Sequence, residues 1–157
     1  MKNIPKHVGL IMDGNRRWAA IRGLSPIKGH NHGAKNLKKI VESSVDLGIR
    51  ELSIFAFSTE NWNRLKKETT AIFKLFERYL SSEIADLKKN NVKLKVVGIF
   101  DEKHSNLLKL IDNAQEITKE NTGLKLNVAI NYGGKSDVLH AAKKIAFQVI
   151  NNKLDIN

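Results

Sequence analysis

Three short segments concentrate the side chains that could do chemistry. The first is Asp13-Gly14-Asn15-Arg16-Arg17-Trp18. Asp13 is the only acidic residue among the first 30, with Arg16, Arg17, Arg22, Lys28 and His30 close to it in sequence. A lone carboxylate amid cations suits a hard divalent ion held jointly with substrate phosphates, because Mg2+ takes one or two carboxylates and completes its shell with water and phosphate oxygens. The plainer alternative, which spacing alone favours, is an Asp that caps the next helix and pairs with a neighbouring Arg. Gly14 permits close backbone approach, and a helix beginning near Asn15 would aim free N–H groups at an anion.

The second segment, Ser58-Thr59-Glu60-Asn61-Trp62-Asn63-Arg64, is denser. Indole and guanidinium groups so close together suit a ligand with apolar and phosphate portions. Equally, Trp62 can pack into the core while Arg64 is solvated. The third, Asn131-Tyr132-Gly133-Gly134, carries a Gly pair that commonly marks a tight turn. Neither GxGxxG nor GxxxxGK[ST] occurs, so the dinucleotide fingerprint and the P-loop are excluded. His30 and His32 stand two apart, off a shared helix face and with no obvious third ligand, which argues against zinc.

The elements that must position these segments alternate. Val8–Met12 is a short apolar run that reads as a buried strand ending at Asp13-Gly14-Asn15. A helix is predicted from about Asn31 to Asp46, with Ala34, Leu37, Ile40, Val41 and Val45 on one face and Gly48 ending it. Leu52–Phe57 reads as a second buried strand. The longest helix carries Ile72, Phe73, Leu75, Phe76, Tyr79, Leu80, Ile84 and Leu87 at three- and four-residue steps. Val92–Ile99 begins with alternation, as a strand near a sheet edge would. Leu107, Leu108, Ile111, Ala114 and Ile117 mark a fourth helix, Leu124–Ile130 a fourth strand, and Val138 to Val149 a last helix. Strand-helix units in this order predict an α/β fold: a parallel β-sheet flanked by helices on both faces, in a single domain over residues 1–157. Ligands of such sheets sit outside the carboxyl ends of the strands, where the three segments fall. The third strand ends in the less distinctive Phe100-Asp101-Glu102.

Composition narrows the class. The chain has 157 residues, 41% hydrophobic, and no cysteine, which excludes disulfides, thiolate zinc sites and cysteine nucleophiles. No apolar run approaches the roughly 20 residues that span a bilayer. The start, Met1-Lys2-Asn3-Ile4-Pro5-Lys6, has no secretory apolar run, and a cytoplasmic location is expected. The net charge of +11 admits a polyanionic partner: nucleic acid, an anionic membrane face or phosphorylated small molecules. Lys outnumbers Arg 21 to 6, so much of the charge is compositional. The arginines concentrate at strand ends rather than in one stripe, so nucleic acid is not expected as a partner.

The motifs His7-Val8-Gly9-Leu10-Ile11-Met12-Asp13-Gly14-Asn15-Arg16-Arg17-Trp18-Ala19, Gly29-His30, Phe57 through Arg64, and Asn131-Tyr132-Gly133-Gly134 stand in the order and spacing of one known family. From His7 nearly to its end the sequence resembles the cis-prenyltransferases, the family of the bacterial undecaprenyl diphosphate synthases (isoprenyl transferases). The resemblance implies cis-condensation of isopentenyl diphosphate with an allylic diphosphate such as farnesyl diphosphate, repeated to give a long polyprenyl diphosphate, a lipid carrier for cell-wall synthesis. It implies Mg2+ at Asp13, an allylic diphosphate cradled by Gly14, Asn15, Arg16 and Arg17 with His30 beside it, and a substrate site lined also by Trp18, Ser58, Thr59, Glu60, Trp62 and Arg64. Asn61 matches a residue proposed to assist the final proton removal. The growing hydrocarbon needs an apolar tunnel, for which the Phe73/Phe76/Leu80 stripe and the Ala34/Leu37/Val41 face are candidates, although such stripes are more often plain core. The resemblance further implies a homodimer and peripheral contact with a membrane through the lipid product.

Two departures from the family pattern stand out. Pro26 occupies the position of an Arg that meets the allylic diphosphate in the family, and Lys28 offers only a point charge in its place. Family members also continue beyond Ile150 with another strand, an Arg-x-Gly-Gly run, an Arg-x-Ser-Asn-Phe run and a late Glu, which bind isopentenyl diphosphate, supply a second acidic group and build much of the dimer interface. None of these is in this sequence, and its last seven residues, Asn151 to Asn157, read as a connector toward that C-terminal part. The resemblance therefore implies either the enzyme or a truncated or split product that binds allylic diphosphate without catalysing alone.

Overall fold

A computed structural model of the chain describes residues 4–100 and 104–155. The elements run β1 (His7–Ile11), α1 (Asn15–Ile21), α2 (Pro26–Asp46), β2 (Glu51–Ser58), a 3-10 turn (Thr59–Asn63), α3 (Lys66–Lys89), β3 (Lys93–Val97), α4 (Ser105–Thr118), β4 (Lys125–Tyr132) and α5 (Gly134–Ile150). The strands form one parallel sheet in the order β1-β2-β4-β3, so β3 is an edge, as its alternation predicted. Asp101 and Glu102, read as the end of the third strand, lie outside the described residues, as do Met1–Asn3 at the start and Ile156–Asn157 of the expected connector.

Register puts Leu52 and Ile54 of β2 beside Leu126 and Val128 of β4, with Leu94 of β3 on the same face. These side chains join Val41 of α2, Phe73 and Leu80 of α3, and Leu107, Ile111 and Ala114 of α4 in one buried cluster. α4 also closes the β3 edge. Thr118 Oγ1 accepts from Leu94 N at 3.2 Å and Gln115 Oε1 from Val96 N at 2.9 Å, pairing two donors that an edge strand otherwise leaves bare. The helical cover is unequal. The opposite face carries Ser53, Phe55, Asn127 and Ala129, all half-buried, and Ile11, which is 73% exposed. α5 carries no buried residue along its length, and Val138, Leu139, Ile145 and Phe147 are exposed. Among the described residues no helix is long and apolar enough to cross a membrane.

Two local features aim the site. Near the end of β2 the register slips around Ala56, so that Phe57 pairs with Ile130 and Ser58 with Tyr132. Such a bulge re-aims a strand's last side chains, and here it buries Phe57. α2 begins at Pro26, five residues before the predicted start. Proline is well suited to the first helical position, where its missing N–H leaves no bond unmade.

Candidate functional site

The turn after β1 holds the exposed carboxylate. Gly14 has φ +85°, a left-handed conformation that a side chain disfavours, and it swings the chain from β1 into α1. Gly14 N donates to Asp13 Oδ1 at 2.6 Å, and Arg17 Nη2 to Asp13 Oδ2 at 2.8 Å. The Gly14 N–H first and the Arg17 guanidinium second hold the Asp13 carboxyl below its ordinary range. Asp13 is 73% exposed at its side chain, so the ionised group faces solvent. It does not cap α1; the pairing half of the plainer reading is realised and the capping half is not.

Beneath this turn lies a carboxylate that the sequence did not single out. Glu68, in the first turn of α3, is 5% exposed. Its Oε1 meets His30 Nε2 at 2.9 Å, Arg16 Nε at 3.5 Å and Arg64 Nη1 at 3.6 Å. One buried anion thus gathers a cationic side chain from α1, an imidazole from α2 and the guanidinium that follows the 3-10 turn. A signal was available: Arg64 and Glu68 are four apart, a spacing that pairs opposite charges. α1 can approach α2 because Gly29 has no side chain; a Cβ there would lie 2.2 Å from the Asn15 carbonyl oxygen.

Two side chains, Ser58 and Asn61, close the start of the 3-10 turn. Ser58 Oγ accepts from Glu60 N at 3.1 Å, and Asn61 Oδ1 accepts from Ser58 N at 3.1 Å, a reciprocal box. Trp62 Nε1 donates to Asn131 Oδ1 at 2.7 Å, and the indole stacks on Phe73 at 5.2 Å while 44% exposed. Asn131, at φ +52°, also bonds through its amide nitrogen to the Ile99 carbonyl, which ties β4 to the end of β3. The third motif therefore serves as the anchor of the second.

Two cavities adjoin at the strand ends. The outer one, about 490 Å3, is bordered by Asp13, Gly14, Asn15, Arg16, Arg17, His30 and Arg64, seven of the expected site residues, together with Met12, Ala20, Leu24 and Pro26. The inner one, about 210 Å3, runs between α2, α3 and the buried sheet face. Its wall includes Ala34, Leu37 and Val41 from α2 and Phe76 and Leu80 from α3, the two stripes proposed for an apolar tunnel, whereas Phe73 packs under Trp62 instead. Met12, Asn15, His30 and Arg64 border both cavities, and Asn61 borders the inner one. Trp18 lies outside both, its ring tilted by 40° against His32 at 4.6 Å, with Arg22 over it at 4.5 Å. Ser58, Thr59, Glu60 and Trp62 also lie outside the two linings, and Lys28 is exposed and does not border the pocket where Pro26 stands.

This combination has relatives. The family model described as "Putative undecaprenyl diphosphate synthase" matches residues 11–157. The chain belongs to the undecaprenyl diphosphate synthase family of prenyltransferases. It is 46% identical over 153 residues to dehydrodolichyl diphosphate synthase 2 of Arabidopsis thaliana, covering 98% of this chain and 49% of that protein. It is 44% identical over 146 residues to ditrans,polycis-undecaprenyl-diphosphate synthase ((2E,6E)-farnesyl-diphosphate specific) of Aliivibrio fischeri, covering 93% of this chain and 57% of the relative. Among solved structures, lavandulyl diphosphate synthase from Lavandula x intermedia in complex with dimethylallyl diphosphate superposes with a TM-score of 0.86 at 33% identity, over 96% of this chain and 65% of that one. The chain spans about half the length of the curated relatives it matches.

Proposed function

We propose that this chain binds an allylic diphosphate, with the anionic head among Arg16, Arg17 and Arg64 and the hydrocarbon between α2 and α3, and that it serves cis-condensation of isopentenyl diphosphate to a long-chain polyprenyl diphosphate. The observation that carries the reading is the common wall of Met12, Asn15, His30 and Arg64, which joins a cationic pocket to an apolar cavity. A ligand with a polyanionic head and a hydrocarbon tail satisfies both at once. The Aliivibrio relative's name specifies farnesyl diphosphate and the lavender structure contains dimethylallyl diphosphate, ligands of that kind.

In the reaction the allylic C–O bond breaks and diphosphate leaves with the electron pair. The double bond of isopentenyl diphosphate then attacks the allylic carbon, and a proton leaves the resulting cation. Each guanidinium near the leaving group contributes on the order of 4 kcal/mol at 4 Å and an effective dielectric of 20, and its worth grows as charge develops on the departing oxygen. Glu68 holds Arg16, Arg64 and His30 in place beforehand, so less reorganisation is needed during ionisation. The C–H beside a carbocation is acidic enough for a weak acceptor. Asn61 Oδ1 already accepts one bond from Ser58 N and keeps a second lone pair for that role.

Mg2+ fits Asp13 by donor chemistry: the carboxylate is ionised, exposed and at the rim of the diphosphate pocket. Among the described residues no group of three or more His, Asp or Glu could hold a metal, so water and substrate phosphate would complete the shell. Bound there, the ion supplies charge neutralisation to the leaving diphosphate. So apolar a product places the work of the protein at a membrane face, and pairing with a second copy belongs to the same reading.

Calorimetry with farnesyl diphosphate and Mg2+, followed by incorporation of labelled isopentenyl diphosphate, tests the proposal. Binding with Mg2+-dependent elongation, lost in Asp13→Ala, is the expected result. Binding without elongation assigns these residues the allylic subsite alone. No binding by the folded chain would overturn the reading.

A further inference from the structure

The inner cavity is apolar along most of its wall, yet Lys38, Glu42, Glu83 and Asp86 also border it. Lys38 belongs to α2, and Glu83 and Asp86 to α3. Lys38 Nζ reaches Glu83 Oε2 at 2.6 Å and Asp86 Oδ2 at 2.9 Å, so one ammonium ties the two helices together. A second tie, Arg78 Nη2 to Asn31 Oδ1 at 2.7 Å, lies nearer the start of α2, and the His30–Glu68 bond is a third, at the cationic pocket.

These ties bridge an unfilled gap. Helices packed ridge into groove interdigitate and leave few voids larger than a water molecule. Between α2 and α3, Leu37, Phe76 and Leu80 face a cavity of about 210 Å3 instead. The separation of the two helices therefore depends on the polar ties as well as on packing. Lys38 is eight residues beyond His30, or about 12 Å along α2. A tail anchored at the arginines and running along α2 therefore comes closer to Lys38 the longer it is. Both carboxylates hold Lys38 firmly charged, Glu83 more than Asp86. The Lys38 side chain is nevertheless 39% exposed and Asp86 more so; exposed pairs of this kind are weak and open readily.

We propose that Lys38, bridging Glu83 and Asp86, sets the width of the α2–α3 cavity and thereby the length of hydrocarbon that the chain accepts. Lys38 is a specificity-determining residue: the strap favours tails that end before it and yields, at a cost, to longer ones. The proposal rests on the reading of this cavity as the prenyl-chain site.

The experiment has two arms. The chain contains no cysteine, so Asn36→Cys on α2 and Ala85→Cys on α3, both exposed, accept spin labels whose separation reports the gap without any ligand. Lys38→Met keeps the length of the side chain and removes its charge; Lys38→Arg keeps both. A longer, broader separation is expected in Lys38→Met and the parent separation in Lys38→Arg. An unchanged separation in Lys38→Met overturns the proposal. The second arm compares the affinities of geranyl, farnesyl and geranylgeranyl diphosphate by calorimetry. Lys38→Met is expected to favour geranylgeranyl over farnesyl by about three- to tenfold more than the parent does, with geranyl unchanged. An unaltered ratio overturns the proposal even if the gap widens. A parallel series of 1-alkanols of rising length needs no headgroup site. Uptake of alkanols with no uptake of diphosphates overturns the functional reading, and the alkanol length profile then supports or overturns the strap on its own.

Discussion

The two carboxylates of the cationic pocket have opposite environments. Asp13 sits on the rim, largely exposed, with one oxygen on a backbone N–H and the other on Arg17. Glu68 does not border the pocket but lies under its floor, nearly inaccessible, with His30, Arg16 and Arg64 around a single oxygen. Water competes for every bond at the rim, so Asp13 can exchange partners with little loss. On the floor no water replaces Glu68, and its loss would leave converging cations without their counter-charge. The rim group is therefore free for chemistry, and the floor group fixes the geometry in which that chemistry occurs.

Substitution at the floor should have the largest effect. Glu68→Gln is expected to lower stability by about 3 kcal/mol, the order of loss when one member of a buried pair is removed, read as a fall in urea midpoint at unchanged slope. A loss below about 0.5 kcal/mol would put the floor in the same class as the rim and erase the contrast. Next comes the seam that brings α1 onto α2. A Cβ at position 29 collides with the backbone at Asn15, so Gly29→Ala should cost about 1–3 kcal/mol, and diphosphate affinity should fall with it as Arg16 and Arg17 are displaced together.

At the rim the sign differs between conditions. Asp13→Asn should shift the denaturation midpoint only slightly, no more than Arg17→Gln does, and weaken farnesyl diphosphate binding at least about tenfold in Mg2+. In Mg2+-free buffer the same variant should bind slightly more tightly, because a negative charge beside the diphosphate has gone. Weaker binding in both buffers would mean that Asp13 acts through structure, as Glu68 does. The smallest effect is that of pH. The Asp13 carboxyl is held below its ordinary value by Gly14 N–H and Arg17, so whatever stability the pairing contributes is complete above the ordinary carboxylate pKa and disappears as pH falls through the lowered one. The small stability difference between the parent and Arg17→Gln should therefore vanish on acidification. A difference that persists at low pH would show that Arg17 acts through its stem.

Most elements were legible because their periodicity is local. α3, read from Ile72 to Leu87, extends to Lys66 and Lys89, β2 exceeds its predicted run at both ends, and β4 starts one residue later than predicted but runs on to Tyr132, since polar ends carry no hydrophobic signal. α1 has no predicted bounds, and the predicted start of α2 at about Asn31 falls five residues late. A seven-residue helix is too short to declare a period, and α1 stands because it packs on α2 through Gly29. The motifs at the strand ends were equally plain as clusters of reactive side chains. Which members would face the cavities was not. Asn61 and Arg64 do, whereas Trp62 turns to Asn131 and Phe73, because a bulge in β2 and the reciprocal Ser58–Asn61 box decide the direction of each side chain.

The amino-acid order by itself determined the alternation of strand and helix, the parallel sheet that such alternation builds, and the chemistry waiting at three strand ends. It could do so because periods of two and 3.6 residues, and the types of side chain at the ends of apolar runs, are properties of neighbours. Only the tertiary structure decided that Glu68 meets a His 38 residues earlier and that Lys38 straps α2 to an Asp 48 residues later. Those meetings depend on the angles and separations at which whole elements pack, and no local pattern carries that information.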